Sequence, residues 1–173
     1  MTTIGIVGMG SSGQSAARLG ISLGYTVHCI DRRETDVPNG CTFHLEEHFD
    51  ISTVHPSQLV VSPGVPKHNT ILKQAIQQNI PIVSELNFAS KHLSCPILAV
   101  TGTNGKSSTV WYAKQMAEQL GLNPFLGGNF GRALSEMVVD IREQRVSYGL
   151  AIVEVSSYQL EWSHDFHANA STV

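Results

Sequence analysis

The sequence predicts an α/β protein made of two parallel-sheet units, one over residues 1–92 and an incomplete second over residues 93–173. Three observations predict it. Short apolar, β-branched runs alternate with longer helix-compatible stretches, the rhythm of βαβ units. Twice a glycine-bearing loop follows a strand pattern and opens a helix, at residues 8–13 and 102–106. The composition, 42% hydrophobic and 14% charged, supplies a core and carries too little charge for a disordered chain.

Residues 3–7 form the first expected strand, β-branched and apolar up to Gly8. A helix is expected over 13–24, with Ala16, Ala17, Leu19, Gly20 and Leu23 at helical spacing and Gly24 as its stop. Residues 25–30 form a second strand ending in Asp31, and 58–62 a third, stopped by Pro63 and Gly64. A helix follows over 69–78 and a short strand over 80–83; residues 43–55 have weak periodicity. The second rhythm starts near Cys95, placing the boundary at 91–95. It comprises a buried-type strand over 96–101, a helix over 107–120 stopped by Gly121, and a strand over 150–155 interrupted only by Glu154. At most three strands are expected in this unit. The final residues 168–173 read as the start of another strand, so the second unit is expected to be unfinished.

The formal net charge of −3 leaves no electrostatic footprint for nucleic acid. No apolar run is long enough to insert across a bilayer, and the N-terminus lacks the basic region of a signal peptide. Cys29, Cys41 and Cys95 are widely spaced and fit neither a disulfide framework nor a zinc site, which points to a reducing, cytoplasmic setting. The eight histidines form no metal-binding spacing.

Gly8, Gly10 and Gly13 make a GxGxxG between strand and helix, a Rossmann-like opening. The turn, the approach of a phosphate and the packing of helix on strand each ask for one glycine, and the helix N-terminus offers free N–H groups to an anion. Asp31 stands where a dinucleotide enzyme places its ribose-binding carboxylate. Arg32 and Arg33 follow it and could neutralise phosphate or stack on a base. The plainer reading is a tight turn with Asp31 capping a loop.

The second loop is more specific. Gly102, Thr103, Asn104, Gly105, Lys106, Ser107 and Ser108 form a P-loop-type phosphate cradle of the short GTNGKS kind, with Val100 where the longer kind has glycine. Backbone N–H groups surround the anion, Lys106 bridges outer phosphates and the Ser107 hydroxyl can bind Mg²⁺. Glu154 interrupts an apolar strand. A buried carboxylate there is costly unless it is paired or holds a cation, which suggests a metal role beside the phosphate loop.

GTNGKS, then Gly127, Gly128, Asn129, Phe130 and Gly131, then residues 154–161 (EVSSYQLE) resemble the Mur ligases in order and spacing. The opening at 4–17, the turn from Ser62 to Pro66 and the segment Val83, Ser84, Glu85, Leu86 are similar to the D-glutamate-adding member. The resemblance implies a cytoplasmic, monomeric, three-domain ligase of peptidoglycan precursor synthesis. Such an enzyme uses ATP and Mg²⁺ to join D-glutamate to UDP-N-acetylmuramoyl-L-alanine through an acyl phosphate. It puts Ser11, Ser12, Asp31, Arg32 and Arg33 along the uridine, and Gly64 and Asn129 at the diphosphate. It puts the residues from Gly102 to Ser108 around the ATP phosphates, Lys106 and Glu154 in catalysis, Ser107 and Glu154 at Mg²⁺, and Ser156 and Gln159 near the substrate. The family's histidine metal ligand and carbamylated lysine have no matching context here, His164 and His167 included. The 173 residues alone are therefore expected to bind nucleotide without turnover. Three other readings stay open: a nicotinamide-dependent oxidoreductase, which leaves GTNGKS unexplained; another ligase of the Mur or folylpolyglutamate synthase group; and a nucleotide-binding fragment without catalysis.

Overall fold

The computed structural model describes residues 2–173. Among them lie two sheets. The first has the order β3-β2-β1-β4-β5, from β1 (Thr3–Val7), β2 (Thr26–Asp31), β3 (Cys41–Leu45), β4 (Gln58–Val61) and β5 (Ile82–Ser84). The second has the order β7-β8-β6-β9, from β6 (Ile97–Val100), β7 (Pro124–Gly128), β8 (Leu150–Glu154) and β9 (Ala170–Thr172). Every pairing is parallel, as the βαβ rhythm predicts. The helices are α1 (Ser11–Ser22), α2 (Ile51–Val54), α3 (Thr70–Gln77), α4 (Glu85–Ser90), α5 (Lys106–Gln119), α6 (Leu134–Arg142) and α7 (Ser157–Leu160).

Three apolar clusters stack these elements into layers. On the outer face of the first sheet, Val7, Leu59 and Val61 meet Ile71, Leu72 and Ala75 of α3. On its inner face, Ile4, Ile6 and Val60 share a cluster with Ala16, Ala17 and Leu19 of α1 and Leu86 of α4. That cluster continues into the second half through Leu134, Met137 and Val138 of α6 and Ala151 and Val153 of β8. The far face of the second sheet is covered by α5, where Val110 and Ala117 meet Val100 and Ile152. Helices α1, α4 and α6 therefore form a shared middle layer that welds the two sheets together by apolar burial.

The register then sets what meets what. Glu154 at the end of β8 pairs with Val100 of β6 on one side and with Gly128 of β7 on the other. The strand that feeds the GTNGKS loop and the strand that feeds Asn129 thus end on either side of the same carboxylate.

Several elements differ from expectation. The second sheet has four strands rather than at most three, because β7 was hidden. Its sequence PFLGG begins with proline and ends in two glycines, so it reads as a turn, yet Phe125 is buried in the core. The weakly patterned stretch 43–55 holds the end of β3, a 3₁₀ turn at Glu46–His48, and α2. The final residues do form a strand, β9, along the edge of β6.

Candidate functional site

β1 delivers the chain into Gly8, Met9 and Gly10. Gly10 is extended (φ −68°, ψ −172°) and makes no side-chain cap, and α1 starts at Ser11, two residues earlier than its apolar spacing predicts. Ser11 and Ser12 therefore sit in the first turn of α1, beside N–H groups without helical partners. A Cβ on Gly13 would collide with the Gly8 carbonyl oxygen and stand 2.9 Å from Ser62 Oγ, so only glycine lets the loop fold back on the helix. Gly10 faces open space instead. The loop is locked from both sides. The Met9 N–H donates to Asp31 Oδ2 at 2.6 Å and Ser62 Oγ donates to the Gly8 carbonyl at 2.6 Å. The Arg33 N–H donates to Asp31 Oδ1 at 3.2 Å.

A cleft of about 580 Å³ opens at the carboxyl ends of the first sheet's strands, where parallel sheets place ligands. Ser11, Ser12, Asp31 and Arg32 from the first glycine loop and the end of β2 line it together with Gly64, Asn129 and Gln159. A second crevice of about 590 Å³ adjoins it, with Gly64 and Asn129 common to both and Ser156 added. Of the residues expected along a sugar nucleotide, the fold brings all but Arg33 to these two crevices. Arg32 makes an ion pair with Glu46 at 3.4 Å and remains largely exposed.

The second glycine loop lies across Glu154 from this cleft. Gly105 takes a left-handed conformation (φ 77°) as the N-cap of α5 and supplies no side-chain cap, leaving the first N–H groups of that helix open to an anion. Thr103, Asn104, Ser107 and Ser108 are exposed. Lys106 Nζ donates to the Gly102 carbonyl at 2.7 Å, so its ammonium lies over the loop. Ser107 Oγ donates to Glu154 Oε2 at 2.7 Å, and Asn129 Nδ2 donates to Glu154 Oε1 at 2.8 Å. The Asn129 N–H also donates to the Glu154 carbonyl at 2.8 Å. Glu154 is buried. Its two neutral donors offset part of the cost of desolvating a carboxylate. Ser156 caps α7 by a reciprocal arrangement: the Gln159 N–H meets Ser156 Oγ, while the Ser156 N–H donates to Gln159 Oε1 at 2.9 Å.

The reading of residues missed one group at the cleft. Arg132 and Glu136 both line it. Arg132 Nε donates to Glu136 Oε2 at 2.9 Å, Nη2 to Asp140 Oδ2 at 2.7 Å, and Nη1 to the Tyr148 hydroxyl at 3.3 Å. Burial alone would lower the guanidinium's pKa, but the bonds to Glu136, Asp140 and Tyr148 outweigh it and hold the group above its ordinary value. The Arg132, Glu136, Asp140 spacing, one charge per helical turn, was the available signal.

Residues 2–84 match the family model described as Mur ligase MurD-like, N-terminal domain. The chain is 36% identical over 176 residues to the UDP-N-acetylmuramoylalanine--D-glutamate ligase of Syntrophus aciditrophicus, covering 96% of this chain and 38% of the relative. It is 33% identical over 177 residues to the ligase of the same name from Desulfosudis oleivorans, with 97% and 38% covered. The chain belongs to the Mur ligases, and its first half is their MurD-like N-terminal domain.

The MurD-like match ends at Ser84, the last residue of β5. The cleft of this Mur ligase chain is therefore built by the matched domain on one side and by residues beyond it on the other. The chain spans 38% of the length of these two relatives. Two solved structures share the fold. One is the UDP-N-acetylmuramate:L-alanyl-gamma-D-glutamyl-meso-diaminopimelate ligase from Neisseria meningitides (TM-score 0.53, 16% identity, 89% of this chain and 52% of that one). The other is a murein peptide ligase from Psychrobacter arcticus (TM-score 0.54, 19% identity, 91% and 38%).

Proposed function

We propose that this chain supplies the sugar-nucleotide site and the ATP-phosphate site of an ATP-dependent ligase that adds D-glutamate to UDP-N-acetylmuramoyl-L-alanine in peptidoglycan precursor synthesis. The observation that carries the reading is the hydrogen-bonded chain Ser107–Glu154–Asn129, which joins the second glycine loop to the cleft beside the first. A protein that binds one dinucleotide needs a single phosphate loop. Here α1 starts at the cleft that Asn129 lines and α5 starts at Ser107, neither with a side-chain cap, and the buried Glu154 bonds both Asn129 and Ser107.

On this reading the two halves of the chain divide the labour. Residues 1–92 are the sugar-nucleotide domain and 93–173 belong to the ATP-binding domain. Ser11, Ser12, Asp31, Arg32 and Arg33 serve the uridine, and Gly64 and Asn129 the diphosphate. Ser156 and Gln159 serve the acyl end of the substrate. Residues 102–108 cradle the ATP phosphates, with Lys106 placing its ammonium against them. Ser107 Oγ and Glu154 Oε2, 2.7 Å apart, are hard oxygen donors of the kind Mg²⁺ takes. These two residues would hold the ion, which supplies charge neutralisation to the phosphates.

The free carboxylate of the substrate is a poor electrophile. A carboxylate oxygen takes the γ-phosphoryl group of ATP as ADP leaves, giving an acyl phosphate; the amine of D-glutamate attacks that carbonyl, phosphate leaves, and the nitrogen gives up a proton. Phosphoryl transfer asks mainly for positioning and charge stabilisation, which Lys106 and the N-terminus of α5 provide. The protein is monomeric and its setting cytoplasmic, the setting being supported by its three free thiols. No helix among the described residues is long and apolar enough to cross a membrane. Calorimetric titration with UDP and, separately, with NADH tests the assignment of the cleft. UDP binding without NADH binding is the expected result; NADH binding with UDP inert would overturn it.

A further inference from the structure

Helix α6 begins without a side-chain cap of its own, since its N-cap residue is Ala133. The cap comes from the other half of the chain. Glu85, the first residue of α4, accepts the Ser135 N–H on Oε1 at 2.6 Å. Glu85 is buried, so this carboxylate bears a desolvation cost that a cap at the surface avoids. Burial pushes its carboxyl above the usual range, against the opposing bonds from Ser135. Glu85 takes no part in the chemistry proposed above.

What it holds is the start of α6, and directly before α6 lies the loop 129–133 that carries Asn129. That loop is tied to the strand ends: the Gly128 N–H at the end of β7 donates to the Arg132 carbonyl at 2.8 Å, and the Asn129 N–H donates to the Glu154 carbonyl at 2.8 Å. A second link reaches α6 from α1: Ser15 Oγ donates to Glu136 Oε1 at 2.9 Å, and Glu136 Oε2 holds Arg132. The loop is thus fixed at its far end by bonds that originate in the first half. We infer that Glu85 is a positioning residue: by capping α6 across the junction of the two halves, it sets the loop that presents Asn129 to the diphosphate end of the cleft. The mention of diphosphate rests on the functional reading above; the positioning does not.

Hydrogen–deuterium exchange on the 173-residue chain tests this with Glu85→Ala, Glu85→Gln and Arg142→Ala. Arg142 Nη2 donates to the Ser22 carbonyl at 2.8 Å, so it joins the same two halves at the opposite end of α6 and serves as the control. Glu85→Ala is expected to speed exchange at Gly128, Asn129 and Ser135 about tenfold, as loss of a helix cap allows. Glu85→Gln keeps an acceptor oxygen and loses the charge, so about threefold is expected. Arg142→Ala leaves these three amides at the wild-type rate, and the β1 amides stay unchanged in all variants. In binding, Glu85→Ala is expected to weaken UDP about tenfold while leaving uridine, which lacks the diphosphate assigned to Asn129, within about twofold. Equal acceleration in all three variants, or wild-type exchange of the loop in both Glu85 variants, would overturn the inference. So would equal losses for UDP and uridine. If Glu85→Ala does not fold, Glu85→Gln decides, by whether its faster exchange is confined to the loop. If the wild-type chain binds neither probe, the assignment of the cleft fails, and the exchange pattern still decides whether Glu85 positions the loop.

Discussion

Replacing Glu154 with glutamine separates stability from function at one atom. Two donors meet this side chain, Ser107 Oγ at 2.7 Å and Asn129 Nδ2 at 2.8 Å, and it is 2% exposed. In Glu154→Gln the new carbonyl oxygen can accept from Asn129, and the new amide can donate to Ser107 once that hydroxyl turns. The number of bonds is preserved, but each becomes neutral. A bond to a charged group contributes about 1 kcal/mol more than a neutral one, so the two together lose about 2 kcal/mol. Against this, the variant no longer desolvates a charge, a cost of several kcal/mol in the native protein. The sum is a stability equal to wild type or higher by about 1–2 kcal/mol, a rise in Tm of roughly 2–8 °C for a chain this size. Affinity for ATP in the presence of Mg²⁺ moves the other way. The charged oxygen ligand is gone, and a loss of about tenfold or more is expected, of the size seen when a charged partner is removed from a site. Urea unfolding and titrations of ATP with and without Mg²⁺ measure both effects. A variant destabilised by more than about 3 kcal/mol would show that the carboxylate is a structural anchor. Unchanged Mg²⁺-dependent binding would remove Glu154 from the metal site.

Gly128→Ala places a methyl group against the Glu154 carbonyl at a residue with φ 97°, so a loss of about 3 kcal/mol or more is expected in denaturant unfolding, together with weaker UDP binding. His28 Nδ1 and His44 Nε2 stand 2.8 Å apart. Burial lowers both pKa values below the ordinary histidine range, and the charge of His44 lowers His28 further. The unfolded chain therefore binds more protons below about pH 6.5, and stability is full above that pH and falls as pH drops through the lowered native values. His28→Gln should flatten the acid side of an unfolding-versus-pH curve; an unchanged slope would exclude the pair.

Elements with local signals were legible from residues. Both glycine loops, the strands 3–7 and 58–61, and helix α3 under its Asn69 cap follow from patterns spanning a few positions. The Ser107–Glu154 contact was foreseeable too, because a carboxylate ending an apolar strand needs a polar partner. β7 was not legible, since proline and paired glycines cancel its strand signal and only burial against the second sheet restores it. The role of Glu85 was equally hidden. A glutamate opening a helix looks like an ordinary first-turn acid, and its partner Ser135 lies 50 residues away in sequence. Arg132 and Asp140 gave a helical spacing, but nothing local says that their network faces a cleft.

Two nucleotides on one chain, one at each glycine loop, is the claim on which the rest depends. Sequential calorimetry measures it directly, with the chain first saturated with UDP and then titrated with ATP and Mg²⁺. One ATP per chain, bound with the same affinity in the presence and absence of UDP to within about threefold, is the result expected for separate sites. ATP that binds only by displacing UDP, or not at all, would contradict it.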